Sequence, residues 1–402
     1  MLPTPITYAL RALSTFYPIQ KPLVFSGSGS TQKLADLMIA AGQKKPLLIT
    51  DNFLLEKGML DGFLEHLKVH DCEVTIFNGV KPNPTFEQVE AALKVSKDNE
   101  CDSVFAIGGG SIIDVAKVVS AASTNNRSLD KLAGILKVKE PPLPFYVVPT
   151  TSGSGSEVTN TAVISDPKTH KKQFFVDPKY VPIAAALDPE LLKSLPAHMT
   201  AAVGMDVLTH AIEAYTSRNN FADTDRDAAM AIKLLFDFLP AAYADGGDLK
   251  AREMVAQASF LAGYAFTKSS LGYVHAISHQ VSAHYNTPHG LANAIILPRV
   301  LRFNKSACAE RFAKLEVMLG GEASADTDTL AEHFSARVDQ LAEKVGIPAN
   351  LTELEEKDFQ KIAKDALAEA WRSYAVPKVM RRNDVEAILR SVSAGHRDLS
   401  FS

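Results

Sequence analysis

SVFAIGGGSIIDVAKVVS, residues 103–120, is a short apolar run, three consecutive glycines, and then a stretch with apolar residues at helical spacing. It reads as a strand, a tight turn and a helix. The same alternation repeats on either side. PLLIT (46–50), CEVTIF (72–77) and PFYVVP (144–149) are strand-like, while QKLADLMIAAG (32–42) and FEQVEAALKVSKDN (86–99) are helical. Alternating strands and helices predict a parallel sheet with helices on its faces. Fifteen of the 21 prolines fall before residue 190, and beyond it the chain turns rich in alanine and leucine. RDAAMAIKLLFDFLPAAY, AREMVAQASFLAGYAF, TLAEHFSARVDQLAEKVG and FQKIAKDALAEAWRSY all place apolar residues three and four apart. The expected organisation is therefore an α/β domain over 1–190 and an all-helical domain over 191–402. The change falls in ALDPELLKSLP (186–196).

The chain has 402 residues, a net charge of −4, 46% apolar and 22% charged residues. That is the composition of an ordinary globular protein. No dense basic run points to nucleic acid, and no apolar run approaches the roughly 18 residues of a membrane helix. The opening MLPTPITYALRALSTFYPIQKP lacks the pattern of a secretory leader. Cys72, Cys101 and Cys308 form neither a disulfide framework nor a CxxC site, so a reducing cytoplasm is the simplest setting.

The glycine turn after residues 103–107 lets backbone approach a phosphate, and the helix that follows offers free N–H groups. Ser111 is placed to cap that helix, with Asp114 three residues on. A second polar loop, TTSGSGSEVTN (150–160), follows the strand at 144–149. Each loop alone is readable as a plain surface turn. Together, at the carboxyl ends of parallel strands, they suit a long polar ligand such as a dinucleotide. Neither is the GxGxxG fingerprint, since the candidate acid, Asp51, precedes the glycines. A carboxylate at that strand end can accept from a ribose 2′-hydroxyl and repel a 2′-phosphate, which favours NAD over NADP. Its simpler reading is a helix N-cap.

GMDVLTHAIEAY (204–215) puts Asp206 and His210 one helical turn apart among apolar neighbours, with Glu213 a further turn along. A buried carboxylate needs compensation, and a cation provides it. VHAISHQVSAHYNTPHG (274–290) then carries His275, His279, His284 and His289, the last on a Pro–His–Gly turn. One carboxylate with two or three imidazoles suits Fe(II), Zn or a similar divalent ion. Spacing does not say which histidines bind it, and each alone could be a satisfied core residue.

With NPT (83–85), GGGSIIDVAK, PTTSGSGSEVT, GMDVLTHAIEAY and YNTPHGLANAI in place, the chain resembles the iron-dependent, group III alcohol dehydrogenases over nearly its full length. The likeness runs toward the lactaldehyde reductase and 1,3-propanediol dehydrogenase branches. The resemblance implies a dehydroquinate synthase-like fold and reversible, NAD-linked hydride transfer between an alcohol or diol and its aldehyde or ketone. It implies metal ligands Asp206, His210, His275 and His289, a proton-moving role for His279, and no role for His284. The cofactor residues it implies are Asp51, Asn83, Gly109, Gly110, Ser111, Asp114, Thr150, Thr151, Ser154, Thr159 and Lys172, with Phe266 beside the substrate. A small-molecule substrate and a dimer go with it. Departures stand at Ser154, Thr161, Lys268 and Val376-Pro377-Lys378, which bear on pocket shape rather than the metal. Two alternatives share the motifs: a glycerol dehydrogenase-like polyol oxidoreductase, and a non-redox metal-dependent lyase or hydrolase acting on a phosphorylated sugar. A catalytically silent metal-binding scaffold is a third reading.

Overall fold

A computed structural model of the chain describes residues 19–166, 171–397 and 399. The stretch read for a leader lies outside them up to residue 18. The described residues fall into two compact units, dividing between Ser194 and Leu195.

The first unit is built on β1 (Leu23–Ser26), β2 (Pro46–Ile49), β3 (Thr75–Phe77), β4 (Ser103–Gly108), β5 (Gly134–Ile135), β6 (Phe145–Pro149), β7 (Thr161–Asp166), β8 (Lys171–Val176) and β9 (Ala184–Leu187). Six of these form one sheet in the order β1-β9-β6-β4-β2-β3, with every pair parallel. The central strands are buried on both faces, which explains their unbroken apolar sequences. Alternate residues feed two separate cores. Leu47, Ile49, Val104, Ala106 and Val147 face one way. Leu48, Phe105, Ile107, Tyr146 and Val148 face the other.

Helices cover both faces: α1 (Ser30–Ala40), α2 (Asn52–Glu56), α3 (Asp61–Val69), α4 (Phe86–Asp98), α5 (Gly110–Thr124) and α6 (Leu129–Leu132). Val89 of α4 and Val115 and Val119 of α5 enter the first core. Leu34 and Met38 of α1 and Phe63 and Leu67 of α3 enter the second.

Two local expectations change, and one sheet was not anticipated. The strand expected over 72–77 is regular only over Thr75–Phe77, although Glu73 N already donates to the Lys44 carbonyl oxygen at 2.8 Å. The helix after the glycines starts at Gly110 with Gly109 as its N-cap and no side-chain cap, so Ser111 lies inside the first turn rather than capping it. A second, three-stranded sheet, β5-β8-β7, holds an antiparallel β7–β8 pair. Its strand TAVISD alternates half-buried and buried residues, a two-residue period that its polar content concealed.

The second unit is helical throughout its described residues: α7 (Ala197–Thr216), α8 (Ala222–Ala244), α9 (Leu249–Ser269), α10 (Tyr273–Tyr285), α11 (His289–Met318), α12 (Thr327–Lys344), α13 (Phe359–Ser373) and α14 (Arg382–Ala394). Its core is lined heavily by alanine, with Ala211, Ala228, Ala231, Ala258 and Ala262 fully buried, so neighbouring helices pack closely. No helix among the described residues is long and apolar enough to cross a membrane.

Candidate metal centre and cofactor face

In the helical unit, Asp206 and His210 lie one turn apart on α7, His275 sits in the first turn of α10, and His289 opens α11. His289 is therefore a helical residue rather than a turn residue. Pro288 precedes it as N-cap at φ −54°, the proline angle that suits a helix start. Gly290 lets that start approach α7, because a Cβ there would stand 2.7 Å from the Ala202 carbonyl oxygen.

The Asp206 Oδ1 atom is the hub. His210 Nε2 lies 3.9 Å from it, His275 Nε2 3.6 Å and His289 Nε2 3.7 Å. Ligand atoms about 2.1 Å from a shared tetrahedral ion sit about 3.4 Å apart. Donor atoms of Asp206, His210 and His275 lie within 4.8 Å of one another, so these three need only contract to share one, while His289 approaches Asp206 but stands outside that mutually close set. Asp206, His210 and His275 are buried, and His289 is partly exposed.

Two observations fit a cation here. Asn293 Nδ2 stands 2.6 Å from Asp206 Oδ1, 3.0 Å from His289 Nε2 and 3.2 Å from His275 Nε2. An amide with two hydrogens faces three acceptors, and its buried Oδ1 has no partner. The charges agree. Burial acts against the charge on Asp206, yet the surrounding imidazoles hold it well below the usual carboxylate range. Burial pushes His210 down to about 3. Burial opposes charge on His275 too, but Glu213 and Asp206 pull it up to about 9. The two buried acids call for positive charge at this point, and a divalent ion would supply it while leaving the rings neutral.

Glu213 was noted in sequence only as the next turn of α7. Its carboxylate accepts from His275 Nδ1 at 2.7 Å, from Gly272 N at 2.8 Å and from Val274 N at 2.7 Å. It thus caps α10 and fixes the His275 tautomer with Nε2 toward the hub. Glu213→Gln should weaken metal affinity about 10–100-fold, measured by competition with a chromophoric chelator.

His279 projects from α10 one turn past His275. Its Nδ1 lies 2.6 Å from Glu369 Oε1, and Glu369 also accepts from Gln280 and Tyr374. With Nδ1–H donated there, Nε2 carries the lone pair. The ring stacks on His289 at 5.1 Å. Phe266 stacks on His210, ring centroids 4.5 Å apart. His284 is exposed and lies 3.3 Å from Asp358 Oδ2, apart from the hub contacts. Lys268 is paired with Asp223 at 2.7 Å.

In the α/β unit, Asp51, Gly109 and Thr150 follow β2, β4 and β6, which are neighbours in the sheet. The chain runs outward from β2 to β3 and in the opposite direction from β4, so β2 and β4 flank the switch point where such sheets bind ligands. Asp51 caps α2 by accepting from Leu54 N at 3.0 Å, the simpler of its two readings. Asn83, at φ 56°, is exposed after β3. The two polar loops touch. A Cβ on Gly109 would lie 3.6 Å from Thr151, and one on Gly110 3.0 Å from Ser154 Oγ.

Asp114 and Thr159 point their groups into the protein. Asp114 accepts from Ser156 Oγ at 3.1 Å and from Val163 N at 3.0 Å, and burial raises its pKa. Lys172, exposed on β8, adds a positive field there. Buried Lys117 donates to Thr159 O and Oγ1 and to Thr161 O, and burial lowers it to about 8 against the pull of Asp114 and Glu157. Lys117 was not singled out in sequence, yet it braces the second loop. Lys117→Met would strand those acceptors, at about 1–3 kcal/mol. A lower unfolding midpoint and a raised KM for dinucleotide should both follow.

A chain that combines a doubly wound sheet with polar loops at its strand ends and a helical unit bearing an acid–imidazole centre has the parts of a metal-dependent oxidoreductase. Residues 22–189 match the family model for iron-containing alcohol dehydrogenase, and residues 200–393 the C-terminal model of the Fe-containing alcohol dehydrogenase family. The chain belongs to the iron-containing alcohol dehydrogenase family. It is 35% identical over 373 residues to the NAD-dependent methanol dehydrogenase of Bacillus methanolicus, covering 92% of this chain and 98% of that one. It is 38% identical over 374 residues to the 1,3-propanediol dehydrogenase of Citrobacter freundii, covering 91% and 96%. A solved 1,3-propanediol oxidoreductase superposes with a TM-score of 0.89 at 37% identity, covering 94% of this chain and 99% of that one.

Proposed function

We propose that the protein is a metal-dependent, NAD-linked alcohol dehydrogenase that interconverts a primary or secondary alcohol, or a diol, with its aldehyde or ketone. The convergence of three imidazoles on Asp206 Oδ1 carries the reading. Asp206, His210, His275 and His289 would hold Fe(II), or Zn in its place. A bound ion supplies Lewis acidity that lowers the alcohol's pKa, and bound NAD supplies the hydride acceptor.

The chain's own groups do the rest. Gly109, Gly110 and Ser111 offer the N-terminus of α5 to the pyrophosphate. Thr150, Thr151 and Ser154 line the adjoining loop. Asp51 selects the ribose 2′-hydroxyl against a 2′-phosphate. Asn83 and Lys172 are further cofactor contacts, while Asp114 and Thr159 act by bracing the loop. Glu369 holds the His279 ring by Nδ1, so its Nε2 accepts the alcohol proton and passes it to solvent. Phe266 keeps the His210 ring in place and presents an apolar edge to the substrate. The similarity to relatives named for methanol and 1,3-propanediol supports a short alcohol or diol. A cytoplasmic homodimer is the expected setting, which light scattering on the purified protein checks for assembly state.

Protein purified without oxygen and loaded with Fe(II) should reduce NAD, and NADP more weakly, with a panel of short alcohols and diols. No reduction of either dinucleotide with any alcohol by fully loaded protein would count against the reading.

A further inference from the structure

Apart from the centre described above, one other cluster of metal-capable side chains stands out among the described residues: Asp36 on α1 with His66 and His70 at the end of α3. His66 and His70 are four apart, so they share one helix face, and their ring centroids lie 4.6 Å apart. Asp36 Oδ1 is 2.7 Å from His66 Nε2. His70 donates Nδ1–H to the His66 carbonyl oxygen at 2.8 Å, which leaves Nε2 as its lone-pair atom. One donor atom from each residue falls within 4.8 Å of the others. Behind them α1 and α3 are joined through Leu34, Met38, Phe63 and Leu67 in one core, so the two halves of the cluster are held in register.

We propose that Asp36, His66 and His70 form a second, peripheral site for a borderline divalent transition metal, Zn²⁺ above all, that clamps α1 to α3. Two imidazoles and one carboxylate select such an ion over Mg²⁺ or Ca²⁺, which prefer oxygen cages. The ion takes the Nε2 lone pair of His66, whose ring proton moves to Nδ1 so that the imidazole stays neutral, and water completes its shell. Lys44 opposes tight binding, since its Nζ donates to the His70 carbonyl oxygen at 2.6 Å. Glu65 is occupied with Lys68, 3.7 Å away. The site is therefore weaker than the buried centre and stabilises the fold rather than the chemistry.

The test is calorimetric titration of the purified chain with zinc chloride, wild type against His66→Ala and His70→Ala. Wild type should bind one equivalent more than either variant, and zinc should raise its unfolding midpoint further. NAD-linked turnover should be equal in all three. The readout is a difference between wild type and variants, so it does not depend on how full the Asp206 centre is. Circular dichroism checks that the variants fold, and Asp36→Asn, which keeps both imidazoles, should bind the extra zinc more weakly. Equal zinc uptake by wild type and both histidine variants would overturn the proposal.

Discussion

Asp206→Asn should empty the metal centre and stop alcohol oxidation while leaving the chain folded. Three imidazoles converge on Oδ1 of this residue, at 3.6 to 3.9 Å. Its Oδ1 is in reach of all three rings, whereas Glu213 is turned to the back of His275. An asparagine keeps the shape and the contact with Asn293 but removes the charge that answers a divalent ion. If the ion supplies about 4 kcal/mol of transition-state stabilisation, turnover falls about a thousandfold. Bound iron measured by elemental analysis should fall with it. Retained iron with lost turnover would place the ion elsewhere.

His279→Ala should give the opposite pattern: iron retained, turnover lost. Only the ring beyond the ligand face changes, since His279 turns Nδ1 to Glu369 rather than to Asp206. Positioned proton transfer contributes about 10²–10⁴-fold, so kcat should drop by that range with KM for NAD little changed. Loss of iron in this variant, with His289 intact, would make His279 a ligand and undo the assignment. Glu369→Gln should fall between wild type and His279→Ala, because an amide oxygen can still accept from Nδ1 but no longer balances a charged ring.

These two residues also mark what sequence could carry. Asp206 and His210 were legible because a helix sets their spacing locally and the apolar neighbours predict burial. The strand-glycine-helix unit at 103–120 was legible for the same reason, and the buried strands announced a parallel sheet. What failed was set by the approach of distant segments. Glu213 was visible as one more turn of α7, but its bonds to His275 and to the start of α10 exist only once those helices meet. Asn293, the hub's hydrogen-bond donor, had no signal except its place four residues past His289 on the same face. Ser111 looked like a cap because serine before an apolar run usually is one. In the fold Gly109 takes that place, and the first N–H groups of α5 stay unbridged by any side-chain cap. The β7–β8 pair was concealed by the threonine, serine and aspartate that interrupt the apolar residues of TAVISD. His275 and His279 have the same local spacing, and only the partner each ring finds, Glu213 or Glu369, separates them.

Turnover is proposed to depend on an ion held by Asp206, His210, His275 and His289. Iron is removed from the anaerobic protein and returned stepwise, and NAD reduction with a good alcohol is followed against bound iron. Turnover should be near zero without the ion, rise in proportion to iron, and level off when the Asp206 centre is full, with His210→Ala staying at background throughout. Undiminished NAD-linked turnover in the iron-free protein, with no zinc in its place, would contradict it.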